Sequence, residues 1–281
     1  METFIPTLQR IQPQFTEHDY SCDQASRVIV HIDMDCFFAA VAVVGNPAWK
    51  DKPIAISHST STKSESKAAV SSCNYQARRS GIHAEMRIGV AREKCPDLIV
   101  LPYEFKKYQK ISEQMYEIFY SLTHRVRAHS VDEAFLELPM SQAHNATQLA
   151  QSLRQAIFDR TGCVASAGIG PNVLMAKMAT NLAKPDGCVC FSSRSDPTFL
   201  SHLASLPVKK LPGVGRNLSR VLQEEHQITT VGQLRTVEKR TFASWFAEKT
   251  ALLLYNLSRG IDKDEHLGNP PRALFFCFLF L

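Results

Sequence analysis

The stretch VIVHIDMDCFF, from Val28 to Phe38, decides the fold class of this chain. Three contiguous β-branched residues open it and Ile32 adds a fourth, a pattern typical of a strand that is buried on both faces. Asp33 then interrupts the apolar run, and we expect it to end the strand. A carboxylate at the end of a core strand is costly unless a positive group neutralises it.

A second stretch, SVDEAFLEL from Ser130 to Leu138, also combines acids with strand-forming residues. We predict one strand over 129–138 that carries Asp132 and Glu133. Mg²⁺ prefers carboxylate oxygens, and two such ions, about 3.5–4 Å apart, clamp the reacting oxygens of a phosphoryl transfer. Asp33, Asp132 and Glu133 are therefore candidate ligands of two Mg²⁺ ions. The alternative is that they are solvated acids at strand ends.

Composition indicates a soluble globular protein near the size at which one core divides into domains. The chain has 281 residues, 44% hydrophobic and 21% charged, and a net charge of +5, which suits a polyanionic partner. Its eight cysteines include no CxxC pair, which favours free buried thiols over a zinc site. The apolar tail ALFFCFLFL, 273–281, is shorter than the roughly 20 residues that a membrane span needs, so no membrane partner is expected.

The hydrophobic pattern predicts strands that alternate with helices, as in an α/β sheet domain with an inserted small subdomain. Strands are expected at 53–56 and 163–169, a polar loop at 57–67, a short helix from Tyr75 to Gly81, and further helices at 37–44, 87–95, 106–122, 146–160 and 172–182. From Asp196 onward the pattern becomes all-helical.

The motif LPGVG, 211–215, lies between two short amphipathic segments and indicates a helix-hairpin-helix. Gly213 and Gly215 would let the backbone N–H groups approach a DNA phosphate, and Lys209, Lys210 and Arg216 would add positive charge. The alternative is an ordinary tight turn between helices.

Five motifs occur along the chain in this order: HIDMDCFFAAVAVVGNP, SSCNYQARRSGI, SVDEAFLEL, SAGIGPNVLMAKMATNLAKPDG and LPGVG. Their order and spacing resemble those of the Y-family translesion DNA polymerases over about 27–262. Within that family, the deoxycytidyl transferases are most similar and the bacterial DinB type is next.

The resemblance implies an α+β polymerase fold with a palm at 27–44 and 105–191, an inserted small fingers subdomain at 45–104, and an all-helical thumb at 192–264 that contains the helix-hairpin-helix. We expect 1–26 to form a flexible arm. A β-rich little finger domain follows the thumb in the family. We expect it to be absent here and 265–281 to be a truncated apolar tail.

The resemblance also implies the reaction, which is attack of a primer 3′-hydroxyl on the α-phosphate of a dNTP with release of pyrophosphate. Asp33, Asp132, Glu133 and the backbone carbonyl of Met34 would hold the two Mg²⁺ ions. Asp35 either joins them or fixes the junction between strand and helix through hydrogen bonds.

Other positions match nucleotide contacts of the family. Of Phe37 and Phe38, we expect one ring to face the core and the other, at the position of Phe38, to lie against the sugar and exclude a 2′-hydroxyl. Tyr75, Arg78 and Lys184 would contact the triphosphate, with Tyr75 and Arg78 on one helix face.

The expected partners are primer–template DNA and a dNTP, and the expected place of action is the nucleus. Deoxycytidyl transferases select dCTP with an arginine in a Ser-Arg-Leu-His stretch, which does not occur before Arg27; Arg10 lies in the segment that would follow it. Selection of dCTP would need that element. Two other functions stay open: a catalytically weak DNA-binding scaffold, and a nucleotidyl cyclase, against which LPGVG and AKPDG argue.

Overall fold

The computed structural model describes residues 27–60, 68–262 and 267. Numbered in chain order, its strands are β1 (Ile29–Met34), β2 (Ile54–Ile56), β3 (Ser72–Cys73), β4 (Ile99–Leu101), β5 (Val126–Ala128), β6 (Glu133–Glu137), β7 (Ala165–Gly170) and β8 (Cys188–Cys190). The helices are α1 (Phe37–Gly45), α2 (Tyr75–Arg79), α3 (Ile88–Lys94), α4 (Phe105–Leu122), α5 (Met140–Ala143), α6 (Ala146–Thr161), α7 (Val173–Ala183), α8 (Pro197–Ser205), α9 (Arg216–Glu224), α10 (Val231–Thr236), α11 (Lys239–Trp245) and α12 (Glu248–Leu257).

The large sheet has five strands in the order β5-β6-β1-β7-β8. Neighbouring strands are antiparallel except β7 and β8, which are parallel. Strand β1 lies at the centre because its residues Ile29, Val30 and Ile32 are fully buried and need cover on both faces. One face packs against α4 and α6.

The opposite face of the large sheet is covered by α7, and two glycines permit this close packing. A Cβ atom at Gly168 would lie 2.1 Å from the carbonyl oxygen of Ala176, and one at Gly170 would lie 2.8 Å from Cβ of Met175. Both distances are below van der Waals contact, so the absence of side chains on β7 lets the helix backbone reach the sheet.

The small sheet has three strands in the order β3-β2-β4 and lies, in sequence, between α1 and α4. Its own core includes Val70, Cys73, Ala77, Ile88 and Leu98. Ile54 and Ile56 of β2 pack with Ala39 and Ala42 of α1, which joins the small sheet to the large one.

The helical unit, 197–257, has a separate apolar core that includes Phe199, Leu203, Leu222, Leu234 and Phe242. Side chains cap two of its helices. Asp196 accepts from the backbone N–H groups of Thr198 and Phe199 at 2.9 and 3.3 Å, and Thr230 forms a capping box with Gln233. Residues of α7 also pack in this core, so α7 contacts both the large sheet and the helical unit.

The charged residue Glu137 is buried at the far end of β6. Its carboxylate accepts from Arg27 Nε and Nη2 and from Arg125 Nη1, each at 3.0 Å. Because only 1% of the Glu137 side chain is exposed, the two guanidinium groups supply the hydrogen bonds and charge that water would otherwise supply.

The mixed α+β architecture and the all-helical C-terminal part are confirmed, with three local corrections. The first strand runs to Met34 and does not end at Asp33. The predicted strand over 129–138 is wrong in its first half, because 126–137 form a hairpin in which the N–H groups of His129 and Ser130 both donate to the carbonyl of Glu133 at 3.0 Å. The segment before LPGVG is a single 3₁₀ turn, Val208–Lys210.

Other expectations fall partly or wholly beyond the described residues. The proposed arm at 1–26, including Arg10, most of the polar loop at 57–67, and the tail at 265–281 lie outside them. The six cysteines that the structure describes are free thiols; Cys188 is half-buried and Cys190 exposed, and the other four are buried, whereas we expected buried thiols throughout. Among the helices described, none is long and apolar enough to cross a membrane.

Candidate active site

Asp33 and Glu133 lie directly opposite each other on the antiparallel strands β1 and β6. Opposite residues of such a pair place their side chains on the same face of the sheet, about 4.5–5.5 Å apart at Cβ. Asp132 lies just before β6, and its carbonyl accepts a hydrogen bond from the N–H of Met34 at 3.0 Å. The structure therefore brings the three predicted acids and Met34 together at one end of the large sheet.

The electrostatic environments of the three carboxyl groups differ. Burial raises the pKa of Asp33, and Lys184, whose Nζ lies 2.6 Å from Oδ1, opposes that rise. Burial raises the pKa of Asp132 to about 6, although the Ser130 hydroxyl donates to its Oδ1. Burial is thus the main cause of the raised pKa of both carboxyl groups, and the contacts with Lys184 and Ser130 only partly offset it.

Glu133 has the opposite shift. Burial acts to raise its pKa, but hydrogen bonds and charge from His31 and Lys177 outweigh burial and lower the pKa to about 2. His31 Nε2 lies 2.7 Å and Lys177 Nζ 2.5 Å from Oε1. Among the described residues, the ion-pair contact of Oε2 is longer, at 3.8 Å to His129 Nε2.

His31 is a fully buried residue of β1 that the sequence analysis did not single out. Its Nδ1 lies 2.8 Å from Oγ1 of Thr180 on α7, and burial lowers the pKa of its imidazole. Phe135, opposite His31 on β6, packs against the ring at 4.3 Å between centroids. His31 therefore connects α7 to the carboxylate of Glu133.

The Asp35 carboxylate accepts three hydrogen bonds. Ser166 Oγ and the backbone N–H of Asp186 donate to Oδ2 at 2.9 and 2.8 Å, and the Tyr75 hydroxyl donates to Oδ1 at 3.4 Å. Ser166 lies on β7, Asp186 in the turn that follows α7, and Tyr75 on α2. The bonds favour the interpretation in which Asp35 fixes the junction between β1 and α1.

The two phenylalanines of α1 have different surroundings. Phe37 is 3% exposed and packs in the core of the large sheet. Phe38 is partly exposed, with its ring 4.5 Å from Tyr108 and 5.9 Å from Tyr103. Of the pair, Phe38 thus has the more exposed ring.

Tyr75 and Arg78 share one face of α2, as predicted, and the Arg78 guanidinium lies 4.9 Å from the centre of the Tyr75 ring. Arg78 Nε also donates to the carbonyl of Cys73 at 3.2 Å, and this hydrogen bond restricts the orientation of the guanidinium group. Lys184 reaches the same region from the end of α7, through its contact with Asp33.

The predicted DNA-binding residues lie on the surface of the helical unit. Leu211 and Val214 are buried and anchor the turn in the core of the helical unit. The five predicted DNA-binding residues are exposed: Lys209, Lys210, Gly213, Gly215 and Arg216. Gly213 has φ +76°, a conformation that favours glycine, and Gly215 has open space where a Cβ would lie. The first N–H groups of α9 follow immediately.

The donor set at the acidic end of the large sheet fits a hard divalent cation. Three carboxyl groups and a nearby backbone carbonyl are oxygen ligands of the kind that Mg²⁺ takes. In the part of the chain that the structure describes, no group of three or more His, Cys, Asp or Glu side chains is arranged around a single ion position. Lys184 and Lys177 instead contact Asp33 and Glu133.

Sequence reasoning missed four residues that hold these acids: His31, Ser166, Lys177 and Thr180. Their side chains reach Glu133, Asp35 and one another from positions up to 149 residues away. His31 occupies an inward position of a strand beside an acid, which is a weak signal of a polar partner. The other three carry no local pattern that could have identified them.

Two family models match the chain: the impB/mucB/samB family over residues 32–181 and the DNA polymerase-iota thumb domain over 209–262. The first covers Asp33, Met34, Asp132 and Glu133. The second covers the LPGVG turn and the helices that follow it.

Comparisons with individual polymerases and DNA repair proteins agree with the two family models. The chain is 41% identical to DNA repair protein REV1 of Arabidopsis thaliana over 83% of its length, but spans only 21% of that protein. It is 39% identical to DNA polymerase IV of Francisella philomiragia, covering 88% of this chain and 68% of the relative. A solved insertion ternary complex of Dbh DNA polymerase matches with a TM-score of 0.71 and 27% identity, over 84% of this chain and 68% of the other.

Proposed function

Since the chain belongs to the Y family of translesion DNA polymerases, we propose that it adds deoxynucleotides to a DNA primer opposite damaged template. The observation that carries this proposal is the cross-strand pair of Asp33 and Glu133, with Asp132 beside it. Carboxylates grouped on one sheet end suit nucleotidyl transfer, in which positioning and charge neutralisation supply most of the rate.

Asp33, Asp132, Glu133 and the Met34 carbonyl are proposed to hold two Mg²⁺ ions. When bound, such ions neutralise the negative charge of the reacting phosphoryl group. The raised pKa values of Asp33 and Asp132 support this assignment, because a carboxyl group whose charged form is disfavoured by burial gains from a bound cation. Lys184 would then be released from Asp33 and could contact a phosphate.

The nucleotide is proposed to lie between the large and small sheets. Tyr75 and Arg78 of α2 and Lys184 after α7 present donors for a triphosphate, and a guanidinium can bind phosphate oxygens at two points. The partly exposed ring of Phe38 would lie against the sugar and exclude a 2′-hydroxyl. Phe37 would support that ring from the core.

The DNA duplex is proposed to contact the helical unit. The exposed residues Lys209, Lys210 and Arg216 offer charge, and the backbone at Gly213 and Gly215 leaves space for close approach of a phosphate. Phosphate contacts of this kind supply much of the affinity for DNA and make it depend on salt.

In this proposal, the large sheet with its helices, 27–44 and 105–191, is the palm, 45–104 are the fingers and 192–264 are the thumb. The chain spans about a fifth of the length of the plant REV1 protein that it matches, so the substrates and partners of a whole protein are part of the proposal. We propose the nucleus as the place of action, because REV1 relatives are eukaryotic DNA repair proteins. The finer assignment to the deoxycytidyl transferases is proposed from the motif resemblance alone, and a preference for dCTP would need the arginine element that does not occur in residues 1–26.

Primer extension by the purified chain, with each dNTP singly in Mg²⁺ and then in excess EDTA, tests the proposal. Asp33→Asn should lower insertion by at least about 100-fold, whereas Asp51→Asn, on an exposed turn, should not. A parallel gel-shift assay separates the scaffold alternative: DNA binding without insertion in the parent chain would refute the polymerase and support the scaffold.

A further inference from the structure

We propose that His31 and Thr180 are positioning residues that fix the carboxylate of Glu133, with Thr180 setting the His31 tautomer that donates from Nε2. This inference rests on the function proposed above and extends it to two residues that would not touch the metal ions or the substrates.

The hydrogen-bond chemistry determines where the imidazole proton lies. Lys177 Nζ, which can only donate, lies 2.5 Å from Glu133 Oε1, so that oxygen accepts hydrogen bonds. The contact of 2.7 Å between His31 Nε2 and Glu133 Oε1 therefore requires a proton on Nε2. In the neutral ring, Nδ1 is then an acceptor.

Thr180 can satisfy that acceptor. Its Oγ1 lies 2.8 Å from Nδ1 and is the only side-chain partner that the structure records for that nitrogen among the described residues. Thr180 Oγ1 has one proton and three acceptors within reach: Nδ1 at 2.8 Å, the His31 carbonyl at 3.2 Å and the Ala176 carbonyl at 3.1 Å. Donation along the shortest of these contacts, to Nδ1, leaves the ring proton on Nε2, which is the tautomer that Glu133 needs.

Thr180 can approach His31 because the neighbouring residue on β7, Gly168, has no side chain. Gly168 lies directly opposite His31 on β7, and a Cβ there would lie 2.4 Å from Oγ1 of Thr180 and 2.2 Å from its backbone nitrogen. Any larger residue at 168 would thus displace the helix that carries Thr180. The glycine, the histidine and the threonine form one packed unit across β7, β1 and α7.

The consequence for Glu133 is an asymmetric carboxylate. Oε1 accepts from both His31 and Lys177, at 2.7 and 2.5 Å. The contact of Oε2 with His129 Nε2 is longer, at 3.8 Å. Two donors on one oxygen restrict rotation of the carboxylate and leave the other oxygen for a cation, as hydrogen-bonded partners of metal ligands commonly do.

The test uses the full chain and Mn²⁺ alone as the probe, with binding followed by electron paramagnetic resonance without DNA or dNTP. His31→Leu should weaken Mn²⁺ binding by about 10–100-fold. His31→Gln, whose amide nitrogen can take the place of Nε2, should restore most of that loss, and His31→Asn, whose amide matches Nδ1, should not. Thr180→Val should weaken binding by about tenfold, and Thr180→Ser, which keeps the hydroxyl, should restore it.

Side-chain ¹H–¹⁵N correlation spectra provide the second readout, with the His31 signals assigned from the His31→Gln variant. A proton on Nε2 in the parent supports the inference, and a ring protonated only on Nδ1 overturns it. Equal Mn²⁺ affinity of the Leu and Gln variants also overturns it. If His31→Leu does not fold, the comparison of Gln with Asn decides alone, because equal affinities of those two would contradict the required Nε2 donor.

Failure of the proposed function is a separate result. If the parent chain binds Mn²⁺ but inserts no nucleotide, the polymerase proposal fails while the Mn²⁺ and tautomer measurements still decide the roles of His31 and Thr180.

Discussion

Asp33 on β1 and Glu133 on β6 lie directly opposite each other, and each carboxylate contacts a lysine of the α7 region. Lys184 lies 2.6 Å from Asp33 and Lys177 lies 2.5 Å from Glu133. Two acids on one face of a sheet repel each other, so these lysines stabilise the pair. We infer that bound cations would take over part of this role.

Replacement of both Asp132 and Glu133 by alanine should abolish nucleotide insertion and leave the fold intact. The two substitutions remove two of the three carboxyl groups of the proposed metal site, and with them an electrostatic contribution of several kcal/mol to the transition state. Single-nucleotide insertion and far-ultraviolet circular dichroism are the measurements. Full activity of the double variant with an unchanged spectrum would refute the assignment.

Asp132→Asn should stabilise the metal-free protein above about pH 6. Burial raises the pKa of Asp132 to about 6 in the folded state, above the usual value near 3.9. The stability that Asp132 contributes is therefore present below about pH 4 and is lost as the pH rises through 6. An asparagine does not ionise, so it should gain on the order of 1–3 kcal/mol over the parent at about pH 8.

Denaturant unfolding at about pH 4 and pH 8, with and without Mg²⁺, measures this difference. The advantage of Asp132→Asn should vanish at the lower pH and shrink in Mg²⁺, which stabilises the ionised parent. An advantage of equal size at both pH values would show that the ionisation of Asp132 is not its cause.

Phe38→Ala should raise the ratio of ribonucleotide to deoxynucleotide insertion by about tenfold or more, because a smaller side chain leaves room for a 2′-hydroxyl that costs roughly 1.4 kcal/mol or more to exclude. Insertion of dNTP should change less. Phe37→Ala is the matched control, since Phe37 is buried and its loss should instead lower the free energy of unfolding by about 3–5 kcal/mol. An unchanged ratio in Phe38→Ala would leave Phe38 with a packing role alone.

Glu137→Ala should destabilise the fold by about 3–5 kcal/mol, because it leaves the buried guanidinium groups of Arg27 and Arg125 without their acid. Glu224→Ala is the control: Glu224 and Arg220 are exposed and 4.0 Å apart, and such helix pairs contribute about 0.3–0.5 kcal/mol. Urea unfolding of both variants tests the contrast. Equal losses would show that burial of Glu137 does not set its contribution.

The amino-acid pattern predicts those elements whose burial is periodic. In α4, the stripe Tyr108, Ile111, Met115, Ile118 and Phe119 recurs at helical spacing, and all of these residues are buried except Ile118, which is half-buried. Strand β1 was predicted from a run of β-branched residues, and it is the central strand. Both features depend on neighbours in sequence, which is why one sequence suffices to find them.

Features that depend on distant partners were not predictable in this way. The hairpin between β5 and β6 was missed because Val131 and the residues after Glu133 are typical of strands. The turn between the two strands is instead set by hydrogen bonds to the carbonyl of Glu133. His31 was missed because its partner Thr180 lies 149 positions away, behind a glycine on a third element. Packing of α7 on the sheet creates this contact, and no short motif encodes it.

Any insertion by these 281 residues should follow the template base and should not favour dC opposite every base; the other expected result is no insertion at all. A site that hydrogen-bonds one base through a protein side chain discriminates strongly, and it loses that discrimination when the side chain is absent. The sequence before Arg27 contains no Ser-Arg-Leu-His stretch to supply such an arginine. Single-nucleotide insertion opposite G, A, T and C, with each dNTP in turn, is the measurement. A strong preference for dC opposite all four bases would contradict the prediction, and Arg10→Ala would then test whether Arg10 pairs with the incoming base.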